Sequence, residues 1–345
     1  MDFMKRIFLL SLYACAVLSA VPLAAQLQLN GAGATFPYVL YSKWFEVYKN
    51  KTGVQFNYQS IGSGGGIKQI TEGTVDFGAS DGPMKNEQLD EAKSKQGSDV
   101  LHIPMAMGAV VLTYNVPGVS ASLKLKPSVI PDIFLRVITK WNDPRIAESN
   151  PGIKLPNLPI IVIHRSDGSG TTAIFTDYLC KVSGFWKEKC GKGTSVNWPE
   201  GTLGAKGNEG VSGQVKATPG SIGYVELVYA VQNKLSYAQV QNKSGQFVVP
   251  TIESVTKAAD GSLKNIPADL RASITDPDDG GYPISGMTWL LVYAQQKDKA
   301  KGKALVDFLN WAIRDGQLYC KDLHYAPLPT KVIDMCAAKI KSIKY

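Results

Sequence analysis

The chain has 345 residues, of which 44% are apolar and 19% charged. That composition excludes a disordered chain, a collagen and a coiled coil, and the length predicts about two domains with enough material for a sizeable core. Lysine and arginine number 37 against 29 acidic residues, a net charge of +8, which raises a polyanion reading that the rest of the sequence must support.

Lys5 and Arg6 precede an apolar run from Ile7 to Leu18, and small residues follow as far as Ala24-Ala25. A charged start, an apolar centre and a small-residue exit are the marks of a secretory signal peptide. The run is too short for a transmembrane helix of about 20 residues. Residues 1–25 are therefore expected to be removed, leaving an exported chain. Leu12-Tyr13-Ala14-Cys15 resembles a lipoprotein box. Tyr13 is bulky for such a site and the residues after Cys15 stay apolar, so cleavage without a lipid anchor is the reading preferred.

The remainder alternates short strands with helical patterns, which predicts an α/β fold. A glycine-rich loop, Gly31 to Pro37, leads into a helical pattern from Tyr38 to Tyr48. Val54 to Tyr58 alternates like a half-buried strand, and Gly62-Ser63-Gly64-Gly65-Gly66 follows. Met105 to Tyr114 is a near-continuous apolar run with Gly108 inside it, as in a strand buried on both faces. Ile160 to Ile163 is a short buried strand, followed by His164 to Thr172 and a helix to about Cys180. Met287 to Tyr293 reads as another strand, and Lys303 to Ile313 as an amphipathic helix. The basic residues are scattered. The lysines at 297–303 are interrupted by Asp298 and lack interleaved aromatics, so they predict a solvated helix start rather than a nucleic-acid groove.

Past the predicted cleavage site the cysteines are Cys180, Cys190, Cys320 and Cys336. An oxidising compartment favours pairing, although the connectivity is open. The near-neighbour pairs Cys180–Cys190 and Cys320–Cys336 demand least of the fold and would contribute ~2–3 kcal/mol each. Zinc is disfavoured because no C-x-x-C pair occurs and no histidine stands at ligand spacing from a cysteine pair. Asp276, Asp278 and Asp279 lack the terminal glutamate of a calcium loop and predict an exposed turn. His102 and His324 are assigned no role.

Three loop-to-helix junctions carry the chemistry: Gly31 to Pro37, Gly62 to Gly66 and His164 to Thr172. A helix start offers unpaired N–H groups and a partial positive charge. Glycine admits close approach, Ser and Thr add hydroxyl donors, and Arg165 adds a full charge with bidentate geometry. Together they predict an anion pocket. The nucleotide patterns fail: Lys68 lies outside a Gly-Lys-Ser/Thr context, and Gly31-x-Gly33 is followed by Phe36 where the dinucleotide motif needs glycine. His164, Asp167 and Ser169 lie too close in sequence for a hydrolase relay, and Gly168-Ser169-Gly170 is not a nucleophile elbow.

These loops, together with Val75-Asp76-Phe77-Gly78-Ala79-Ser80-Asp81, Lys140-Trp141-Asn142-Asp143, Asn150-Pro151-Gly152, Gly207-Asn208-Glu209-Gly210 and Ile222-Gly223-Tyr224-Val225-Glu226, resemble the periplasmic phosphate-binding proteins of bacterial ABC importers. The resemblance runs in order along essentially the whole chain after the signal segment. It implies a two-lobed periplasmic binding protein of type II with a cleft between the lobes. The chain would cross between lobes near Gly108–Val110 and again near Pro283–Gly286. Residues 26–109 and 286–345 would form one discontinuous lobe and residues 110–285 the other. It implies high-affinity binding of inorganic phosphate by Thr35, Phe36 (through its backbone N–H), Ser63, Asp81, Arg165, Ser169, Gly170 and Thr171, with Asp167 orienting Arg165. Gly64 stands where relatives often carry serine. The implied partners are phosphate and an inner-membrane permease and ATPase complex, with a monomeric binding protein, no cofactor, no nucleic acid and no enzymatic step. Alternative readings are a binding protein for another oxyanion, a secreted phosphatase-like protein or an adhesin.

Asp81 belongs in an anion site only through proton chemistry. Phosphate near neutral pH keeps at least one O–H, which an ionised carboxylate accepts; sulfate has none to give.

Overall fold

The computed structural model describes residues 27–264, 266–278 and 280–345. The predicted signal segment, Cys15 and Asp279 lie outside the described residues. Among the described residues no helix is long and apolar enough to cross a membrane. The strands are β1 (Gln28–Gly33), β2 (Gln55–Ser60), β3 (Phe77–Ser80), β4 (Val100–Asn115), β5 (Lys124–Leu125), β6 (Ile161–Arg165), β7 (Leu203–Ala205), β8 (Ser221–Glu226), β9 (Ser236–Tyr237), β10 (Gln239–Gln241), β11 (Phe247–Val248) and β12 (Ser285–Tyr293). The helices that matter for the site are α1 (Tyr38–Thr52), α2 (Ser63–Glu72), α3 (Gly170–Val182), α4 (Gly184–Lys189), α5 (Gly207–Ala217), α6 (Leu227–Gln232), α7 (Lys299–Ala312) and α8 (Thr330–Lys341).

One nine-stranded sheet runs in the order β2-β1-β3-β12-β4-β8-β6-β7, with β9 also on β4. β4 holds it together. This strand is 16 residues long and buried along almost its whole length. Residues Val100 to Ala109 pair with β12, and Val110 to Asn115 pair with β8. The exchange of partner between Ala109 and Val110 divides the sheet into two halves. β1, β2 and β3 are mutually parallel through β1 in the first half; β6 is parallel to β7 and β8 in the second.

β4 begins five residues before the predicted apolar run, at Val100 rather than Met105. His102 and Pro104 interrupt the hydrophobic pattern that sequence reasoning follows. His102 is nonetheless buried, with Nε2 accepting the Met84 N–H at 3.0 Å, and burial pushes its pKa down to about 3. Pro104 is tolerated in a central strand because the register breaks there: Thr288 pairs with Ala106, while Trp289 pairs with Pro104. Such a bulge relieves a missing N–H and re-aims side chains.

Each half has its own aromatic core. In the first, Phe45 stacks on Phe56 at 4.5 Å between ring centroids and Phe56 lies 4.6 Å from Phe308. In the second, Phe175 lies 4.7 Å from Phe134 and 4.5 Å from Tyr224. Asp298 caps α7 by accepting the Lys301 N–H at 2.9 Å, so the acid that interrupts the lysines is the helix start.

The expected disulfides are not formed. Cys180, Cys190, Cys320 and Cys336 are all free thiols. Cys320 and Cys336 are buried, their sulfurs 3.9 Å from Gln317 Oε1 and 3.7 Å from the Pro104 carbonyl respectively. Each serves as a small apolar side chain with a weak donor, and burial pushes both thiols up to about 12. Cys180 and Cys190 are half-buried around the α3–α4 turn. Proximity in sequence decided nothing here, because packing gave the two buried sulfurs separate partners.

Gly108 of β4 and Gly286 of β12 are cross-strand partners at the passage between halves. A Cβ at Gly108 would lie 2.7 Å from Phe36 Cζ and 3.0 Å from Glu226 Oε1. Substitution Gly108→Ala is expected to destabilise the protein by about 1–3 kcal/mol through overpacking, read as a lower urea midpoint with an unchanged m-value.

Candidate functional site

The predicted loops converge where the two halves meet. From the first half come the β1–α1 loop with Thr35 and Phe36, the start of α2 with Ser63, and the end of β3 with Asp81. From the second come Arg165 at the end of β6 and the start of α3 with Ser169, Gly170 and Thr171. All these residues are buried. Ser63 Oγ ties the halves together: it accepts the Asp81 N–H at 3.2 Å and the Gly170 N–H at 3.0 Å. Gly64 N–H donates to the Gly168 carbonyl at 2.8 Å beside it. A Cβ at Gly170 would sit 2.5 Å from both Asp81 Oδ2 and Ser63 Oγ, so only glycine fits there.

Arg165 is held by a bidentate pair, Nε to Asp167 Oδ1 at 2.8 Å and Nη2 to Asp167 Oδ2 at 2.6 Å. Its Nη1 approaches Thr171 Oγ1 at 3.4 Å. Burial alone would raise Asp167, but the hydrogen bonds and charge of Arg165 and the Gly207 N–H outweigh it and hold the carboxyl below the usual range. Asp167 is thus ionised and fixes the guanidinium plane.

Asn208 is the residue that loop chemistry missed as a site member. It opens α5, is fully buried, and donates from Nδ2 to Thr35 Oγ1 at 2.7 Å and to Thr171 Oγ1 at 3.1 Å. Its N–H also reaches Thr35 Oγ1 at 3.3 Å, and its Oδ1 accepts the Glu226 N–H at 3.0 Å. A signal was present: Gly207-Asn208 after a short strand is a fourth loop-to-helix junction. Tyr229 and Tyr325 were also missed. Their hydroxyls donate to the carbonyls of Thr35 at 2.5 Å and Phe36 at 2.6 Å, clamping the β1–α1 loop.

A common logic follows from these bonds. Thr35, Ser63 and Thr171 each use the hydroxyl oxygen to accept a protein N–H, and Ser169 Oγ likewise accepts the Thr172 N–H at 3.0 Å. A hydroxyl that accepts in this way keeps its hydrogen to donate. With the N-termini of α2 and α3 and the Arg165 guanidinium, the pocket becomes a ring of donors. Its acceptor is Asp81. Burial pushes Asp81 up to about 7, against the opposing effects of Thr288, Arg165 and Ser63. Thr288 Oγ1 donates to Asp81 Oδ1 at 2.7 Å, while Asp81 Oδ2 accepts the Ser63 hydroxyl at 3.5 Å. Asp81 also borders a cavity of about 460 Å³ between the halves, with Ile67, Lys85, Lys192, Arg271 and Met287 around it.

His164 stacks on Trp198 with ring centroids 4.7 Å apart and its Nδ1 lies 2.9 Å from the Arg165 carbonyl, while Ser169 is committed to capping α3. Asp276 and Asp278 both pair with Lys243. Among the described residues no group of three His, Cys, Asp or Glu is placed to hold a metal ion.

Residues 20–315 match the PBP superfamily domain. The chain is 46% identical over 313 residues to the phosphate-binding protein PstS of Xylella fastidiosa, covering 90% of this chain and 84% of that one. It is 45% identical over 341 residues to PstS of Pasteurella multocida, covering 98% of this chain and 96% of the other. Among solved structures, the periplasmic phosphate-binding protein PfluDING, bound with phosphate, superposes with a TM-score of 0.73 at 24% identity over 90% of this chain and 93% of that one. The phosphate-binding protein of Stenotrophomonas maltophilia gives a TM-score of 0.69 at 19% identity over the same shares, 90% and 93%. The likeness to these structures is one of fold, and that fold is two-lobed.

A buried carboxyl with a raised pKa leaves a signature in stability. Below about pH 4 Asp81 is protonated in both folded and unfolded chains. Between there and its folded value of about 7, the unfolded chain releases this proton and the folded one keeps it, so stability falls as pH rises; above that value the contribution is flat. In phosphate-free buffer, Asp81→Asn is expected to flatten part of the decline between pH 4.5 and 7, measured as the urea unfolding free energy of both proteins.

Proposed function

Because the chain belongs to the PstS family of phosphate-binding proteins, within the PBP superfamily, we propose that it binds inorganic phosphate between its two lobes and delivers it to an ABC-type permease and ATPase complex. The observation that carries this reading is the donor ring. Hydroxyls of Thr35, Ser169 and Thr171, the N–H of Phe36 and the Arg165 guanidinium meet one buried carboxylate, beside Ser63, whose oxygen takes the Gly170 N–H and whose hydroxyl bonds that carboxylate. A tetrahedral oxyanion with acceptor oxygens and one remaining O–H satisfies such a pocket; its hydrogen goes to Asp81.

The chain acts as a binding protein, not an enzyme. Its residues replace the water around phosphate with fixed dipoles and move no covalent bond. Arg165 supplies the only guanidinium among these residues, and Asp167 neutralises much of its charge, so neutral donors do most of the work. Binding then depends on geometry rather than on net charge, which suits selection among anions. The +8 balance of the whole chain, thinly spread, adds weak steering of a small anion.

Residues 26–109 and 286–345 form one lobe in this reading, and residues 110–285 the other. The partner exchange on β4 at Ala109/Val110 and the Gly108–Gly286 pair support placing both crossings there. Hinge bending about them would open the cleft for entry and release. The mature chain works as a monomer in the periplasm after loss of residues 1–25.

Titration calorimetry on protein stripped of phosphate tests the reading, with phosphate, sulfate, arsenate and molybdate as ligands. Tight phosphate binding with sulfate disfavoured by about 10⁴ or more is expected; absence of tight phosphate binding overturns the proposal. In the same assay Asp81→Asn should lower the preference for phosphate over sulfate by at least ~100-fold, more than it weakens phosphate itself, because an amide can donate where a carboxylate only accepts. Arg165→Lys should weaken phosphate by ~100-fold, since lysine cannot both chelate Asp167 and reach the pocket.

A further inference from the structure

The acceptor role of Asp81 depends on which of its oxygens faces the ligand and on its staying ionised, and both depend on a residue outside the loops. Thr288 is fully buried on β12, the strand adjoining β3, and its hydroxyl donates to Asp81 Oδ1 at 2.7 Å. Asp81 Oδ2 is thereby turned to the side of Ser63 and Gly170, where a Cβ at Gly170 would come within 2.5 Å of it. Thr288 reaches this point at the register break of the β4–β12 ladder, where pairing jumps from Thr288–Ala106 to Trp289–Pro104. A bulge beside it is the kind of irregularity that re-aims a side chain.

The geometry assigns Thr288 as a specificity-determining positioning residue: its hydroxyl holds Asp81 as an acceptor-only carboxylate, so that the pocket takes protonated phosphate and refuses fully deprotonated oxyanions such as sulfate. This rests on the phosphate reading and on the acceptor role of Asp81 given above, and adds to them the group that enforces that role.

The surroundings of Asp81 show why a dedicated donor matters. Burial is the largest influence on this carboxyl and favours the protonated form; Thr288, then Arg165 from β6, then Ser63 from α2 oppose it. Across the cavity it borders stand Lys85, Lys192, Arg271 and Asp177, but the titratable groups packed against it give no help to the ionised form. Tyr41 on α1, Tyr58 on β2 and Tyr325 ahead of α8 are phenols that burial holds well above their ordinary value. Glu226, at the end of β8, is a carboxyl that burial likewise pushes well above its ordinary range. Without the Thr288 hydroxyl, Asp81 would retain its proton to higher pH. A protonated Asp81 offers an O–H to sulfate, and the filter fails.

The test is calorimetric affinity for phosphate and sulfate from pH 6 to 9 in wild type, Thr288→Val, Thr288→Ala, Thr288→Ser and Asp81→Asn. Valine keeps the shape and loses the donor; alanine loses the donor without adding bulk, and serves if the valine variant does not fold. Both are expected to lower the phosphate-to-sulfate affinity ratio by at least about tenfold at pH 7, the worth of one hydrogen bond to a charged group. Both should recover much of the ratio at pH 9, where Asp81 ionises regardless. Serine should restore the wild-type profile. A merely structural role would weaken both anions together and leave the pH profile in place, and that result overturns the inference. If Asp81→Asn relaxes the ratio while the valine and alanine profiles superimpose on wild type, the Thr288 assignment fails alone. If Asp81→Asn leaves the ratio unchanged, the acceptor reading of Asp81 fails and this inference with it.

Discussion

The organising constraint of this protein is that the hydroxyl oxygens of its pocket are already occupied. Thr35, Ser63, Ser169 and Thr171 each accept a hydrogen bond from a protein N–H, which leaves each its hydrogen to donate; Ser63 gives its own to Asp81. A hydroxyl in water is ambivalent; here tertiary partners remove the ambivalence. The pocket thereby acquires a sign without acquiring much charge. Asp167 offsets Arg165 through two hydrogen bonds, and Asp81 provides the one carboxylate. Such a site discriminates by which atoms carry hydrogen, since an acceptor facing an acceptor in a buried place costs far more than a missing attraction.

Holding that ring requires contributions from both halves of the sheet, and β4 makes the connection. Its partner exchange between Ala109 and Val110 sets β3 and Asp81 on one side, and β6 and Arg165 on the other. The glycine pair Gly108–Gly286 leaves room at the passage for the Phe36 ring and for Glu226. Asn208 then spans the junction, bonded to Thr35 before α1 and to Thr171 in α3. The arrangement has a cost, because two carboxyls, Asp81 and Glu226, are fully enclosed at the seam and burial disfavours their ionised forms. Function and stability are set against each other at the same few residues.

The loops were legible from sequence because their chemistry is local. Glycine spacing, Ser and Thr at helix starts and an Arg two residues from an Asp act through backbone geometry within a few residues, so Gly31–Pro37, Gly62–Gly66 and His164–Thr172 announce themselves. The strands were legible where both faces are apolar. β4 was truncated at Met105 because His102 and Pro104 break the pattern, and only a neighbouring strand with a bulge could reveal that both belong. The cysteines misled for the opposite reason: short spacing suggested partners, whereas Cys320 and Cys336 are packed against other groups.

Composition, fold class and the donor chemistry of three loops were thus determined by the sequence itself, since each rests on interactions between residues close along the chain or on a pattern of apolar periodicity. The orientation of Asp81 by Thr288, the bridge through Asn208, the clamps from Tyr229 and Tyr325 and the free state of the thiols were decided only by tertiary structure. Thr288 and Asp81 are 207 positions apart, and Thr35 and Asn208 are 173 apart. Nothing local marks such residues as partners; only the folding of β12 against β3 and of α5 against the β1–α1 loop places a donor within reach of its acceptor.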